Sequence, residues 1–326
     1  MKSHLMRSAA VLTLAALLLT GSASALFGKK AEETPPAGAP QVPNLELRTY
    51  RDIPGQGQFQ TTALEGEEVT FTLAEEPRKG TVVIEGDRFT YTPDEGVTGS
   101  DRFRYTATDG QGRVSLPAEV SVTIDKTRSG VTYADTAGSP AACAAQYLAE
   151  KGVFTGSRIG EQHYFQPDQP VSRSEFLAMA LETAGRDVTA VTLTGFCDDG
   201  SIPTWAKAYA AAGAADGIVQ GSRTAEGVAF RGNDAVTFNE AASILDRVLN
   251  LGDVDLDVWY ADRSAAPSWA AQAVGNMEAV SVLSAGSFGS QTLEQAVTRA
   301  DAAQMLAAAG VLLEGNEPKG LLRWLG

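Results

Sequence analysis

Cysteine and histidine are nearly absent: the 326 residues hold two of each. His4 lies in the N-terminal apolar segment, so His163 is the one histidine of the remainder. A Ser-His-Asp or Cys-His site could use no other base. Multi-histidine metal sites are excluded, and two cysteines cannot build an all-cysteine zinc centre. No catalytic residue, metal site or cofactor is assigned, and the chain is expected not to be an enzyme. Cys143 and Cys197 form an even pair, which in an oxidising compartment either closes a disulfide or stays as two buried thiols. Positive charge is also scarce, with 26 Lys and Arg against 40 Asp and Glu, a net charge of -14. Phosphate binding needs clustered cations, so nucleic acid is excluded as a partner.

Long apolar runs are missing after the first 25 residues, so no transmembrane segment is expected in the mature chain. The first 25 resemble an export signal. Lys2 and Arg7 precede the apolar run Ala9 to Leu19, and Ala23-Ser24-Ala25 gives a small-residue cleavage site. An uncleaved anchor is the alternative. No cysteine follows that would carry a lipid. Losing Lys2 and Arg7 takes the net charge from -14 to -16. The expected location is secreted, at the cell wall or cell surface.

Residues 26–44 read as a disordered linker, held extended by Pro35, Pro36, Pro40 and Pro43. Residues 45–125 carry a strand period. Leu45, Leu47 and Thr49 alternate with polar residues, as do Val69, Phe71 and Leu73, then Val82 and Ile84, and Phe89 and Tyr91. Phe103, Tyr105 and Ala107 follow, then Val120, Val122 and Ile124. Six such runs separated by turn residues predict a small antiparallel sandwich. Acidic loop residues Glu65, Glu67, Asp94, Asp101 and Asp109 could gather calcium, but their spacing matches no EF-hand loop, and turn chemistry explains Asp109-Gly110 as well.

After a polar join at 126–130 the pattern turns helical, alanine-rich and repetitive. An aromatic-x-Asp triplet recurs as Tyr133-Ala134-Asp135, Phe196-Cys197-Asp198 and Tyr260-Ala261-Asp262. A proline follows each aspartate at constant distance: Pro140, Pro203 and Pro267. The next helix opens with Trp205-Ala206 and Trp269-Ala270, where repeat one has Ala142-Cys143. Glycine turns follow at 152–156 and 217–221, degraded to Ser281-Val282-Leu283-Ser284-Ala285 in the third copy. Glycine at this point is expected to end the helix in a left-handed conformation. A second helix then begins at Ser172-Arg173-Ser174-Glu175, Thr237-Phe238-Asn239-Glu240 and Thr298-Arg299-Ala300-Asp301, each with the signature of a capping box. Repeats are placed at 131–190, 191–253 and 254–315, with a tail at 316–326. Leu321 to Leu325 in that tail are mostly apolar and are expected to dock on the helical domain.

The order aromatic-x-Asp, Trp-Ala helix, Gly-Ile-x-x-Gly, Phe165-Gln166-Pro167 and Thr-Arg-Ala-acid resembles the S-layer homology (SLH) domain. The resemblance implies an all-α, pseudo-threefold C-terminal domain. It implies non-covalent attachment to secondary cell-wall polysaccharide, a polymer that often carries pyruvylated sugars. Lys79-Gly80-Thr81-Val82, Phe89 to Pro93, Gly99 to Tyr105 and Thr108-Asp109-Gly110 resemble bacterial cadherin-like, Ig-like domains, which implies an N-terminal all-β sandwich serving as spacer or adhesive surface, with surface-protein or lattice contacts.

For a carboxylated sugar, an arginine fork suits the acid, aspartates accept from hydroxyls, and tryptophan covers the ring face. The candidate ligand-binding residues are Asp135, Arg173, Asp198, Trp205, Asp262, Trp269 and Arg299. Each has a plainer reading: the aspartates as caps, the tryptophans as core, the arginines as solvated first-turn residues. An arginine at a helix N-terminus opposes the dipole, so its recurrence at Arg173 and Arg299 points to a ligand. Phe238 replaces it in repeat two, and fewer than three working grooves are expected. Two other functions stay open: a secreted glycan-binding or adhesive protein with degenerate repeats, and a two-carboxylate glycosidase.

Overall fold

A computed structural model describes residues 37–62, 68–260, 262–284 and 287–316. The export segment, most of the linker and the apolar tail lie outside the described residues, as do Glu65, Glu67, Ala261, Ala285 and Gly286. The chain divides after Gly130 into two compact units.

The first unit is β. Its strands are β1 (Leu45–Tyr50), β2 (Gly55–Gln58), β3 (Val69–Glu75), β4 (Gly80–Glu85), β5 (Arg88–Pro93), β6 (Gly99–Asp109) and β7 (Ala118–Asp125). They form one sheet in the order β1-β7-β6-β3 and another in the order β2-β5-β4. The inward residues of the alternating runs meet between the sheets: Phe71, Phe89, Tyr91, Phe103, Tyr105, Val120 and Ile124 are all buried. Phe59 stacks among them, its ring centroid 4.4 Å from Tyr105 and 4.7 Å from Phe89. Two features correct the expectation of six antiparallel strands. β1 runs parallel to β7. β2, with sequence Gly-Gln-Gly-Gln, has no apolar alternation to reveal it; it pairs with β5. A Cβ at Gly57 would come within 2.3 Å of the Phe89 ring, so the absence of a side chain lets that ring lie against the strand.

Two of the five acidic residues expected in loops, Asp101 and Asp109, lie on β6 and serve the backbone. Asp101 accepts from the N–H groups of Arg78 (3.0 Å) and Lys79 (2.8 Å) and from the Tyr91 hydroxyl (2.8 Å). Burial works against its ionised form, but these donors prevail and hold its carboxyl below the usual range. Asp109 accepts from the N–H groups of Gln111 and Arg113 and pairs with the Arg113 guanidinium at 2.6 Å.

The second unit holds the repeats. Their first helices are α1 (Ala142–Glu150), α3 (Lys207–Ala215) and α6 (Ala271–Ala279), and their second helices are α2 (Arg173–Thr183), α4 (Phe238–Leu249) and α7 (Arg299–Asn316). A short helix, α5 (Leu256–Trp259), precedes the third aromatic-x-Asp triplet. The unit is not all-α. Hairpins of β8 (Ser157–Ile159) with β9 (Gln162–Tyr164), and β10 (Ser222–Thr224) with β11 (Gly227–Ala229), follow the glycine turns of repeats one and two. They were missed because three-residue strands carry too little periodicity to register.

α2 and α4 begin with complete capping boxes, Ser172 with Glu175 and Thr237 with Glu240. In α7 the Thr298 hydroxyl and Asp301 exchange the same pair of bonds. The three entries close on one another. The Val171 N–H donates to the Val297 carbonyl (2.9 Å), Val297 to Val236 (2.8 Å), and Val236 to Val171 (2.9 Å). All three valines are buried. Around this ring each first helix packs on the second helix of the preceding repeat: α3 on α2, α6 on α4, and α1 back on α7. Cys143 and Cys197 are not joined to each other, so the disulfide alternative does not hold in this structure; Cys143 is half-buried and Cys197 exposed, so the alternative of two buried thiols does not hold either.

Candidate ligand groove

The aromatic-x-Asp triplet positions a loop. The Asp135 carboxylate accepts from the N–H groups of Phe165 (2.8 Å) and Gln166 (2.7 Å). Asp198 does the same for Phe230 and Arg231, both at 2.8 Å. Gln166 and Arg231 hold left-handed backbone, φ 57° and 58°, which the clamp fixes. The triplet's aromatic completes the joint: Tyr133 packs edge-on against Phe165, and Phe196 stacks on Phe230. Asp262 departs from this pattern. It accepts from the Ser264 N–H (2.9 Å) and hydroxyl (2.6 Å), and these bonds hold its carboxyl low.

The recurrent arginines hold the other side of the same loops. Arg173 Nη1 donates to the carbonyls of Phe230 (3.2 Å) and Arg231 (2.6 Å), and its Nη2 pairs with Glu240 at 2.5 Å. Its side chain is only 12% exposed. Arg299 Nη1 donates to the Phe165 carbonyl (3.1 Å) and Gln166 Oε1 (2.7 Å), with the guanidinium 5.2 Å from the Phe154 ring centre. Each arginine thus ties its own helix to the loop of the next repeat. That is why it recurs at a helix N-terminus despite the dipole.

Small residues match across these joints. The Ser174 N–H donates to the Gly232 carbonyl, and a Cβ on Gly232 would meet Ser174 Oγ at 2.3 Å. In the joint between repeats three and one, Ala300 faces Pro167 instead. The larger loop residue sits opposite the smaller helix residue.

Above Arg173 lies a groove of about 310 Å³. Its wall comes from three repeats: Arg173 of the first, the turn from Ile218 to Ser222 with Phe230 and the α4 stripe Glu240, Ser243, Ile244 and Arg247 of the second, and Trp269 of the third. Trp269 is 58% exposed and Trp205 is 52% exposed, so neither indole is core. The turn itself needs glycine. Gly221 has φ 69°, and a Cβ there would lie 2.7 Å from the Ala229 carbonyl oxygen. Of the seven candidate residues, Arg173 and Trp269 share this groove. Asp198 acts beneath it by fixing Phe230. Asp135 and Arg299 meet at the 165–166 loop, while Trp205 and Asp262 do not line the groove.

The sequence reading missed Arg247. Glu240, Ser243, Ile244 and Arg247 follow the i, i+3, i+4, i+7 rule, so one face of α4 carries them all. That spacing was legible, but Glu240 was read only as the acid of a capping box, and the face it shares with Arg247 was not followed further. The groove can offer an indole face, guanidinium donors and the peptide groups of a glycine turn. No group of three or more metal-ligating side chains occurs among the described residues.

Residues 39–126 match the family model for the bacterial cadherin-like domain, so the β unit carries a domain of this Ig-like kind. The family comparison finds no SLH repeat in the helical unit. No curated protein matches the chain. Among solved structures, a variant of endo-fucoidan hydrolase MfFcnA4 of glycoside hydrolase family 107 is 21% identical over 28% of this chain and 14% of its own, with a TM-score of 0.24. Endo-fucoidan hydrolase MfFcnA9 is 14% identical over 28% of this chain and 17% of its own, at 0.22. The fibronectin(III)-like modules of Clostridium thermocellum CbhA are 17% identical over 27% of this chain and 99% of theirs, at 0.18. This chain therefore spans less than a fifth of either hydrolase, and scores this low carry no argument about function.

Proposed function

We propose that the protein is an exported, non-enzymatic cell-surface protein. In this reading the helical unit is an SLH-type module that holds secondary cell-wall polysaccharide, and the cadherin-like domain is what it displays. The observation that carries the reading is Trp269, which stands 58% exposed on a groove walled by three repeats. A large indole left in water at the edge of a groove fits a platform for a sugar ring. The cyclic hydrogen bonding of Val171, Val236 and Val297 supports it further, because such closure fits the pseudo-threefold domain implied by the resemblance.

The test is a pull-down of the full chain on purified cell walls, before and after extraction of the secondary polymer, with Trp269→Ala alongside. Binding lost on extraction and weakened in the variant is the expected result. Failure to bind intact walls would overturn the reading and make the cadherin-like domain the candidate functional end.

A further inference from the structure

β4 is the outer strand of the sheet β2-β5-β4. Its six residues run in unbroken antiparallel register with β5, from Gly80 opposite Pro93 to Glu85 opposite Arg88. Pro93 has no N–H, so the bonds to β5 fall on Thr81, Val83 and Glu85. The N–H and C=O groups of Gly80, Val82 and Ile84 therefore turn outward, and none has a hydrogen-bond partner among the described residues. Folded proteins commonly blunt such an edge with proline, lysine or a bulge. In the other sheet the edge strand β3 has a register shift between Leu73 and Glu75. β4 contains no proline, lysine or bulge, and Val83 stands 57% exposed on its outer face. Opposite charges flank it, Lys79 just before the strand and Glu85 as its last residue. The Lys79 ammonium reaches only the Thr98 carbonyl, at 3.5 Å, and neither residue has an ion pair among the described residues.

We infer that β4 is a self-pairing edge, which takes β4 of a second copy of this chain, antiparallel, about a two-fold axis at Val82. In that register Val82 faces its own copy and Gly80 faces Ile84, each pair exchanging both N–H···O bonds. Every outward group is then used. Ile84 falls opposite a glycine, which leaves room for its side chain, and Val83 falls opposite Thr81 on the outer face. Lys79 of each copy falls opposite Glu85 of the other, so the charges match at both ends. Any other register leaves an outward residue of the strand unpaired and takes Lys79 off Glu85. β4 once paired admits no further strand, so the product is a closed pair rather than an extended array. The pairing uses nothing from the helical unit.

Sedimentation equilibrium of the full chain, from about 10 µM to about 1 mM, covers the weak association expected of an interface one strand wide. The native chain should pass reversibly from monomer to dimer over this range. Amide exchange at Val82 and Ile84 should slow in step with the paired fraction; Thr81 and Val83, already bonded to β5, serve as the reference. Glu85→Lys sets like charges against each other at both ends and should weaken pairing about tenfold. Lys79→Glu combined with Glu85→Lys restores opposite charges and should recover it. A native chain that stays monomeric throughout the range would overturn the inference. So would a dimer whose Val82 and Ile84 amides exchange as fast as in the monomer, or a Glu85→Lys chain that pairs like the native one. A double variant that pairs no better than Glu85→Lys alone would overturn it as well.

Discussion

Ser281 stands where repeats one and two place Gly152 and Gly217, and all three hold left-handed backbone, with φ of 59°, 72° and 71°. The expectation of a left-handed helix end therefore extends to the degraded third copy, where an exposed serine bears the strain. A side chain in that conformation costs about 1–2 kcal/mol. Ser281→Gly should raise the thermal midpoint of the helical unit by about 2–4 °C for each kcal/mol recovered. An unchanged midpoint would show that the serine sits there without strain. Arg173 makes the opposite case. Its recurrence with Arg299 was visible in the sequence, but its loop partners were not, because two of its three acceptors are backbone carbonyls 57 and 58 residues away. Carbonyl acceptors leave no residue signature. Arg173→Ala should lower stability by at least about 1.5–3 kcal/mol, the loss of one charged hydrogen bond, as read by denaturant unfolding. Lysine should not restore it, since a point charge cannot serve acceptors spread across a planar fork.

At the scale of elements, the junction of α4 with α6 is held by one buried amide. Asn276, 2% exposed, donates to Asp246 (2.8 Å) and Asp253 (3.0 Å) and accepts from the Val254 N–H and the Gln272 amide. Burial raises the Asp246 carboxyl above its ordinary value and the Asp253 charge adds to it, while the Asn276 bond and the Arg247 charge oppose it without prevailing. A folded value above the unfolded one means a contribution that is complete below the unfolded value and lost as pH rises through the folded one. At neutral pH the ionised Asp246 therefore costs stability. Asp246→Asn should raise the midpoint of the helical unit at pH 7 and flatten its dependence on mild acid. In the β unit, Asp101 and Asp109 are held low, so their stabilisation persists through mild acid and is lost only as pH falls through their folded values. Asp199 and Asp262 add an acid-side loss of the same sign to the helical unit. Calorimetry from pH 7 to 4.5 should thus show Asp246 strengthening the helical unit while the β unit stays level. A variant whose profile matches the native one across that range would refute the assignment to Asp246.

At the scale of the molecule, what was legible followed from periodicity. Alternation revealed the sandwich core, and the repeat length revealed the helix pairs. What was hidden follows from pairing. Nothing in Leu45–Tyr50 says that its neighbour is β7, or that the two run parallel. Gly55–Gln58 becomes a strand only because β5 needs an edge. The closure of the three repeats was likewise implied by resemblance alone, since the Val171, Val236 and Val297 bonds are backbone to backbone. Closure has a thermodynamic consequence. In an open repeat array, stability is a sum of neighbour terms and an end can fray alone. In this unit α1 is sequentially first but packs on α7, where a Cβ on Gly310 would meet the Tyr147 hydroxyl at 2.3 Å. Gly310→Ala should therefore part α1 from α7 at an overpacking cost of about 1–3 kcal/mol. Because the ring is shared, amide exchange should quicken in α2 and α4 as well as in α1, and the helical unit should still unfold in one step. Exchange that quickens in α1 alone would mean that the repeats behave as an open array and that the valine ring does not couple them.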